Sequence, residues 1–297
     1  MSKRTLAILA AIGATTIYGI NHTIAKGVMP HYVGPFGFIM LRVVGAAILF
    51  WGISFLGPKE KIQKKDWGRI LVCAILGMVI NMLAFFKGLQ LSTPINSAVL
   101  VTITPIIVVI LSAFFLREKI TLNKGLGILL GFIGAIALIL FGAEIRQDAP
   151  NIPLGNFLFI VNATSYGAYL IVVKKLIEKY HPFTLMKWLF TIAVIINFPI
   201  TLPEFMEIEW STIPLWAYGS IAFVVIGTTF MTYLFNVFAL TELKASTVGA
   251  FVYVQPLFGI LFALFSGKDQ LTLVKIMATV LVLLGVYLAS KKPKPNP

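Results

Sequence analysis

Apolar runs long enough to cross a lipid bilayer fill almost the whole of this chain, and they leave few folds open to it. A hydrocarbon core ~30 Å thick takes ~20 helical residues. Runs of that order fall at roughly 5–28, 34–56, 67–90, 94–116, 122–142, 153–176, 183–202, 213–239, 245–266 and 271–290. Lipid cannot satisfy exposed backbone amides, and the runs lack the apolar/polar alternation of barrel strands, so they read as helices. Composition agrees: 59% of the 297 residues are hydrophobic, 12% are charged, and the mean hydropathy is +0.94. Such a chain is not a soluble globule. Lys3 and Arg4 precede the first run as in a signal peptide, but the run continues to Lys26, past signal length. The single Cys73 lies inside a run and reads as packing, with no disulfide within the chain.

One block recurs 151 positions later. Ala98 to Pro105, an apolar stretch and Arg117-Glu118-Lys119-Ile-Thr121 are answered by Gly249 to Pro256, an apolar stretch and Lys268-Asp269-Gln270-Leu-Thr272. Gly134 and Gly285 keep the same offset. The expected organisation is a five-helix repeat at 1–143, an outer linker at 144–152, a second repeat at 153–290 and a disordered cytoplasmic tail at 291–297.

Basic residues set the expected orientation, because Lys and Arg near span ends gather on the cytoplasmic side. With the N-terminus inside, the runs around Lys59–Arg69, Arg117–Lys124, Lys174–Lys187, Lys244 and Lys291–Lys294 share one face. The acidic group Glu204, Glu207 and Glu209 falls on the other. Both termini are then cytoplasmic, in an inner (cytoplasmic) membrane, and the net charge of +13 is a topology signal. Scattered over short loops, it does not form a nucleic-acid surface.

Five spans per repeat is an odd number, so the second repeat runs through the membrane inverted. Inverted repeats enclosing a midplane site are characteristic of secondary transporters that work by alternating access.

The residues also resemble a family. Tyr18-Gly19-Ile-Asn21-His22-Thr23 with Lys26, then Pro35 and Arg42, is similar to the opening helices of EamA-type permeases of the drug/metabolite transporter superfamily. Phe85-Phe86-Lys87-Gly88-Leu89, Asn96-Ser97-Ala98, Pro105 and Glu118 continue the likeness, as do Gly227-Thr228, Ala239-Leu240, Gly249-Ala250 and Pro256. Tyr18, His22, Asp269 and Gln255 depart from the usual pattern. The resemblance implies a permease with a central cavity, often an exporter of amino acids or other metabolites.

Polar residues at membrane depth are costly and mark pathways. Lys26, Arg42 and Lys87 converge on the outer half of the first repeat, where they would receive a carboxylate or phosphate, with Arg42 and Lys26 as the anion-receiving pair. The alternative is that the lysines snorkel and Arg42 caps carbonyls. Asn21, His22, Asn81, Asn162, Tyr166, Tyr169, Thr232 and Gln255 complete the candidate substrate-binding set, which suits a neutral or zwitterionic solute; Ser and Thr hydroxyls more commonly bond their own helix or a neighbour. Pro105 and Pro256 are expected to kink their helices and act either as gate hinges or as packing kinks. The glycines of Gly125-Leu-Gly127 and Gly131-Phe-Ile-Gly134 are small-residue faces for contact within one bundle or between two protomers.

Every Asp and Glu lies in a loop or near a span end, and no P-loop is present. Transport is then facilitated, or His22 or a lysine carries the proton. No cofactor is implied. An intramembrane enzyme acting on a lipid or isoprenoid is the rival from another class; with His22, His31 and His181 dispersed, one Cys and no buried acid pair, neither a metal set nor a triad assembles. A solute channel is a further alternative.

Overall fold

A computed structural model describes residues 2–116, 120, 122–141, 148–242 and 255–290. The tail at 291–297, the start of the outer linker, Arg117–Lys119 and Gly249-Ala250 lie outside them. The described residues are helical and carry no strand. They comprise α1 (Lys3–Val28), α2 (Pro35–Ser54), α3 (Trp67–Ala74), α4 (Asn81–Leu91), α5 (Pro94–Val101), α6 (Thr104–Leu116), α7 (Leu122–Phe141), α8 (Ile152–Ile177), α9 (Pro182–Met206), α10 (Leu215–Ala222), α11 (Thr232–Glu242), α12 (Gln255–Phe265) and α13 (Leu273–Ser290). Wide π turns at Ile75–Ile80 and Phe223–Met231 join α3 to α4 and α10 to α11, making one rod of each pair.

Seven helical runs are long and apolar enough to cross a membrane. Shorter apolar helices stand where the fifth, ninth and tenth spans are expected, at Leu122–Ala137, Gln255–Phe265 and Leu273–Leu288. Local chemistry explains where several helices begin. Pro35, Pro94 and Pro182 open α2, α5 and α9, where the missing amide costs nothing. Ser2 and Thr93 cap α1 and α5 by accepting from the amides of Thr5 and Asn96.

Pro105 does more than kink its helix. The rod breaks at Thr102–Ile103, and α6 restarts at Thr104 with Pro105 second. Because the proline ring removes a donor and crowds the Val101 carbonyl, the chain tightens into three-residue turns, Thr102 N to Val99 O at 3.2 Å and Ile103 N to Leu100 O at 3.1 Å. The Thr102 and Thr104 hydroxyls donate to the Val99 and Val101 carbonyls at 2.6 and 2.8 Å. Pro256 lies on α12, and residues 243–254 ahead of that helix are outside the described ones.

Helices meet at small residues, as expected where lipid tails offer no hydrophobic drive and van der Waals fit decides. Several of these approaches come in corresponding pairs. A methyl at Gly134 would lie 2.9 Å from the Ala278 carbonyl oxygen, and one at Gly285 would lie 2.6 Å from that of Gly127; adding 151 to 134 and to 127 gives 285 and 278. Gly19 abuts Phe258 and Gly259, while Gly167 abuts Ile107 and Val108; the contacted residues are again 151 apart. Gly77 packs on Tyr169, and its counterpart Thr228 donates to Asn21 at 3.0 Å. Thus α7 lies along α13, α2 along α9, α1 against α11 and α12, and α8 against α4 and α6.

The five tryptophans form two groups. Trp188 near the start of α9 contacts Trp51 and Trp67, whereas Trp210, past the end of α9, stacks on Tyr218, and Trp216 meets Tyr32. A 25-residue helix is ~37 Å long, so the groups mark two levels a bilayer apart, as interfacial aromatic belts do.

Candidate functional site

Polar side chains from both halves meet in the middle of the bundle. His22 on α1 is buried, with Nδ1 bonded to Ser97 Oγ on α5 and Nε2 3.5 Å from the Gln255 amide on α12. The Phe85 ring stands edge-on to it at 5.5 Å. One residue earlier, Asn21 accepts from Thr228 in the second π turn. Arg42 on α2 donates through Nε to Thr229 at 2.7 Å, and its guanidinium lies 5.7 Å from the centre of the Phe86 ring. A cation, an imidazole, amides and hydroxyls therefore converge from α1, α2, α5, α12 and the second π turn, against the aromatic wall of α4.

Asn81, Asn162, Tyr166 and Tyr169 lie where α8 packs on α4 and the first π turn. Asn162 donates to the Asn81 carbonyl at 2.9 Å, Asn81 donates back to the Asn162 carbonyl at 3.4 Å, and Ser165 donates to Leu76 O at 2.7 Å. Asn162 and Ser165 of α8 thus bind carbonyls of α4 and of the π turn, and Asn81 binds one of α8 in return. The Tyr166 and Tyr169 rings are 5.6 Å apart. Thr232 donates to the Thr228 carbonyl at 2.7 Å, bonding its own helix.

Lys26 differs from the expectation of an anion-receiving partner for Arg42. Its buried ammonium donates to the carbonyls of Leu89, Gln90 and Asp148 at 2.7, 2.9 and 2.6 Å. The C-terminal end of a helix presents unsatisfied carbonyls and partial negative charge, and an ammonium is drawn there. Lys87 donates to Gln90 at 2.6 Å.

The acidic residues have an employment that spacing alone did not disclose. Asp269 accepts from Ile95 N at 3.0 Å at the start of α5, and also from Lys275 at 3.0 Å with both side chains fully buried. Glu204 accepts from Phe36 N and Gly37 N at 2.6 and 3.0 Å at the start of α2. Glu60 accepts from His181 N at 2.8 Å ahead of α9. Each carboxylate sits at a helix N-terminus, where free amides and the dipole favour negative charge. These pairings join residues 121 to 174 positions apart, so no local sequence signal announces them.

The geometry defines an integral membrane protein of packed apolar helices around a polar centre. The EamA-like transporter family matches residues 5–140 and again 153–291, and the chain belongs to that family. Among its relatives, a protein of Archaeoglobus fulgidus described as an uncharacterized transporter is 29% identical over 277 residues, covering 93% of this chain and 96% of that protein. The uncharacterized transporter YyaM of Bacillus subtilis is 24% identical, covering 83% and 81%. A solved crystal structure matches with a TM-score of 0.60 over 95% of this chain and 96% of that one; at 16% identity it bears on the fold alone. Family and relatives alike point to a membrane transporter, working on a small molecule from within a lipid bilayer.

Proposed function

We propose that the chain is a secondary permease for a carboxylated or zwitterionic metabolite, an amino acid or a close relative, working by alternating access and most simply as an exporter. Ten spans in two inverted five-helix repeats are the architecture of this reading, with the outer linker near 144–152 between them and both termini in the cytoplasm of an inner membrane. The observation that carries it is the set of corresponding contacts: Gly134 on Ala278 against Gly285 on Gly127, and Gly19 on Gly259 against Gly167 on Val108. Halves that trade equivalent contacts can trade roles, so the same interfaces serve an inward-open and an outward-open form.

Arg42 supplies the carboxylate site in this proposal, and His22, Gln255 and Asn21 address the amino end and side chain of the solute. The Thr23 hydroxyl and Asn96 Oδ1 flank His22 and Ser97 in sequence and are buried with no hydrogen-bond partner among the described residues. Buried polar atoms left unsatisfied are costly, and a polar solute relieves that cost. Lys26 is assigned to holding the end of α4 rather than to the solute.

The test is a thermal-shift screen of purified protein against amino acids, nucleobases and anionic metabolites, since a ligand that binds only the folded form raises its Tm. Arg42→Gln should weaken a carboxylated hit by ~1.5–3 kcal/mol, about tenfold to a hundredfold. Undiminished binding in that variant would move the site elsewhere.

A further inference from the structure

We infer that the groove between α2 and α9 is a binding site for one anionic phospholipid, with an acyl chain in the groove and the headgroup phosphate on Lys187 and the basic loop that follows α2. The groove is open along its side, offers about 510 Å³, and is walled by Ile48, Trp51 and Gly52 of α2, by Phe55 just past its end, and by Val194 and Ile195 of α9. That volume is within the ~300–1,000 Å³ range of small-molecule sites. Gly52 makes the room, because a methyl group there would meet nothing within 4 Å.

Two observations say what fills it. At its rim the Lys187 ammonium lies 4.8 Å from the centre of the Trp51 ring, and Trp51 donates to Thr191 at 2.9 Å, so indole and ammonium are held together. Trp51, Trp67 and Trp188 set this rim at the level where aromatic belts meet headgroups. Charge is the second observation. Lys59, Lys61, Lys64 and Lys65 follow the groove within one loop and are all exposed. The acids among them are engaged elsewhere: Glu60 on His181 N, and Asp66 on Lys179 and the Tyr180 hydroxyl. A basic cluster just past a spanning helix, uncompensated by its own acids, attracts anionic headgroups at about fivefold in affinity per residue. An apolar slot ending in such a cluster matches the two parts of an anionic phospholipid.

The inference rests on the reading of this face as a membrane-embedded span end, and it does not depend on which side of the membrane that end faces. Full-length protein in detergent, exposed to equal amounts of dioleoyl phosphatidylglycerol and dioleoyl phosphatidylcholine, is weighed by native mass spectrometry. The phosphatidylglycerol adduct should dominate by fivefold or more. Lys187→Gln and Lys59→Gln together should remove most of that preference, and Gly52→Leu, whose side chain enters open space, should reduce retention of both lipids while Tm is preserved. Equal retention of the two lipids, or retention untouched by Gly52→Leu, overturns the site. A doubled mass lost in Gly52→Leu would give the groove to a second copy of the chain and also overturn it. Detergent has no sides, so a reversed orientation of loop 59–65, found separately by labelling, would refute the topology and leave the lipid site standing.

Discussion

Asp269 shows how much can depend on one carboxylate in a chain with so few. It bridges the loop before α13 to the first turn of α5, accepting from Ile95 N while paired to Lys275, and neither side chain of the pair touches solvent. Removing one partner of a buried pair leaves the other charge uncompensated, which costs about 3–5 kcal/mol, whereas removing both is far milder. Asp269→Asn should therefore lower the Tm in detergent strongly, and adding Lys275→Met should restore much of it. Additive losses in this cycle would show that the two residues act independently. Among the described residues the acids stand in loops or near helix ends, as their positions in the sequence suggest, yet their partners are not legible there, because Ile95 and Asp269 are 174 positions apart. The same limit applies to Lys26: its depth and charge were legible, but the carbonyls of Leu89 and Gln90 that receive it were not.

At the scale of the element, Pro105 is more disruptive than a kink, and the reason lies in its neighbours. A lone proline in a long helix bends it, but here two threonines within three residues donate to the Val99 and Val101 carbonyls, and the helix ends and restarts. Thr104→Val deletes the bond to the Val101 carbonyl and should cost about 1 kcal/mol of stability. If the two prolines mark hinges, Pro105→Ala and Pro256→Ala should shift the balance of inward-open and outward-open forms in opposite directions, since the proposed repeats are inverted. Accessibility of a cysteine at position 21 from each side reads that balance; shifts of one sign in both variants, or none in either, would leave the prolines as packing features. The α7 and α13 crossing is less forgiving. A Cβ at Gly285 would press at 2.6 Å on the backbone of both Gly127 and Gly131, so Gly285→Leu should separate the pair and lower the Tm by more than Gly52→Leu, which meets open space.

Across the whole molecule, much of the duplication was legible from the 151-residue recurrence around Pro105 and Pro256, and part of it was hidden. Tyr18-Gly19 with Lys26 recurs as Tyr166-Gly167 with Lys174, but at a shift of 148, because the spacing changes before the third span of each half. A single fixed offset misses it, and only the matching contacts of Gly19 and Gly167 bring the correspondence out. Orientation is the remaining global property, and it follows from charge. Lys and Arg crowd the face that holds Lys59, Lys61, Lys64, Lys65, Lys179 and Lys187, while Glu204, Glu207 and Glu209 lie at the far end of α9, whose 25 residues span ~37 Å. Residues 60–65 should then be cytoplasmic with both termini, and 148–150 and 204–209 should face outside. Single cysteines in these loops, in a Cys73→Ala background, report the side directly when a membrane-impermeant thiol reagent is applied to intact cells and to inverted vesicles. Cys73 is fully buried on α3, so Ala there removes the background thiol at the cost of only a small cavity. Because α9 must carry the chain across the membrane exactly once, labelling of 60–65 and 204–209 from the same side is incompatible with the inverted-repeat architecture, and with it the exchange of roles on which alternating access depends would fall.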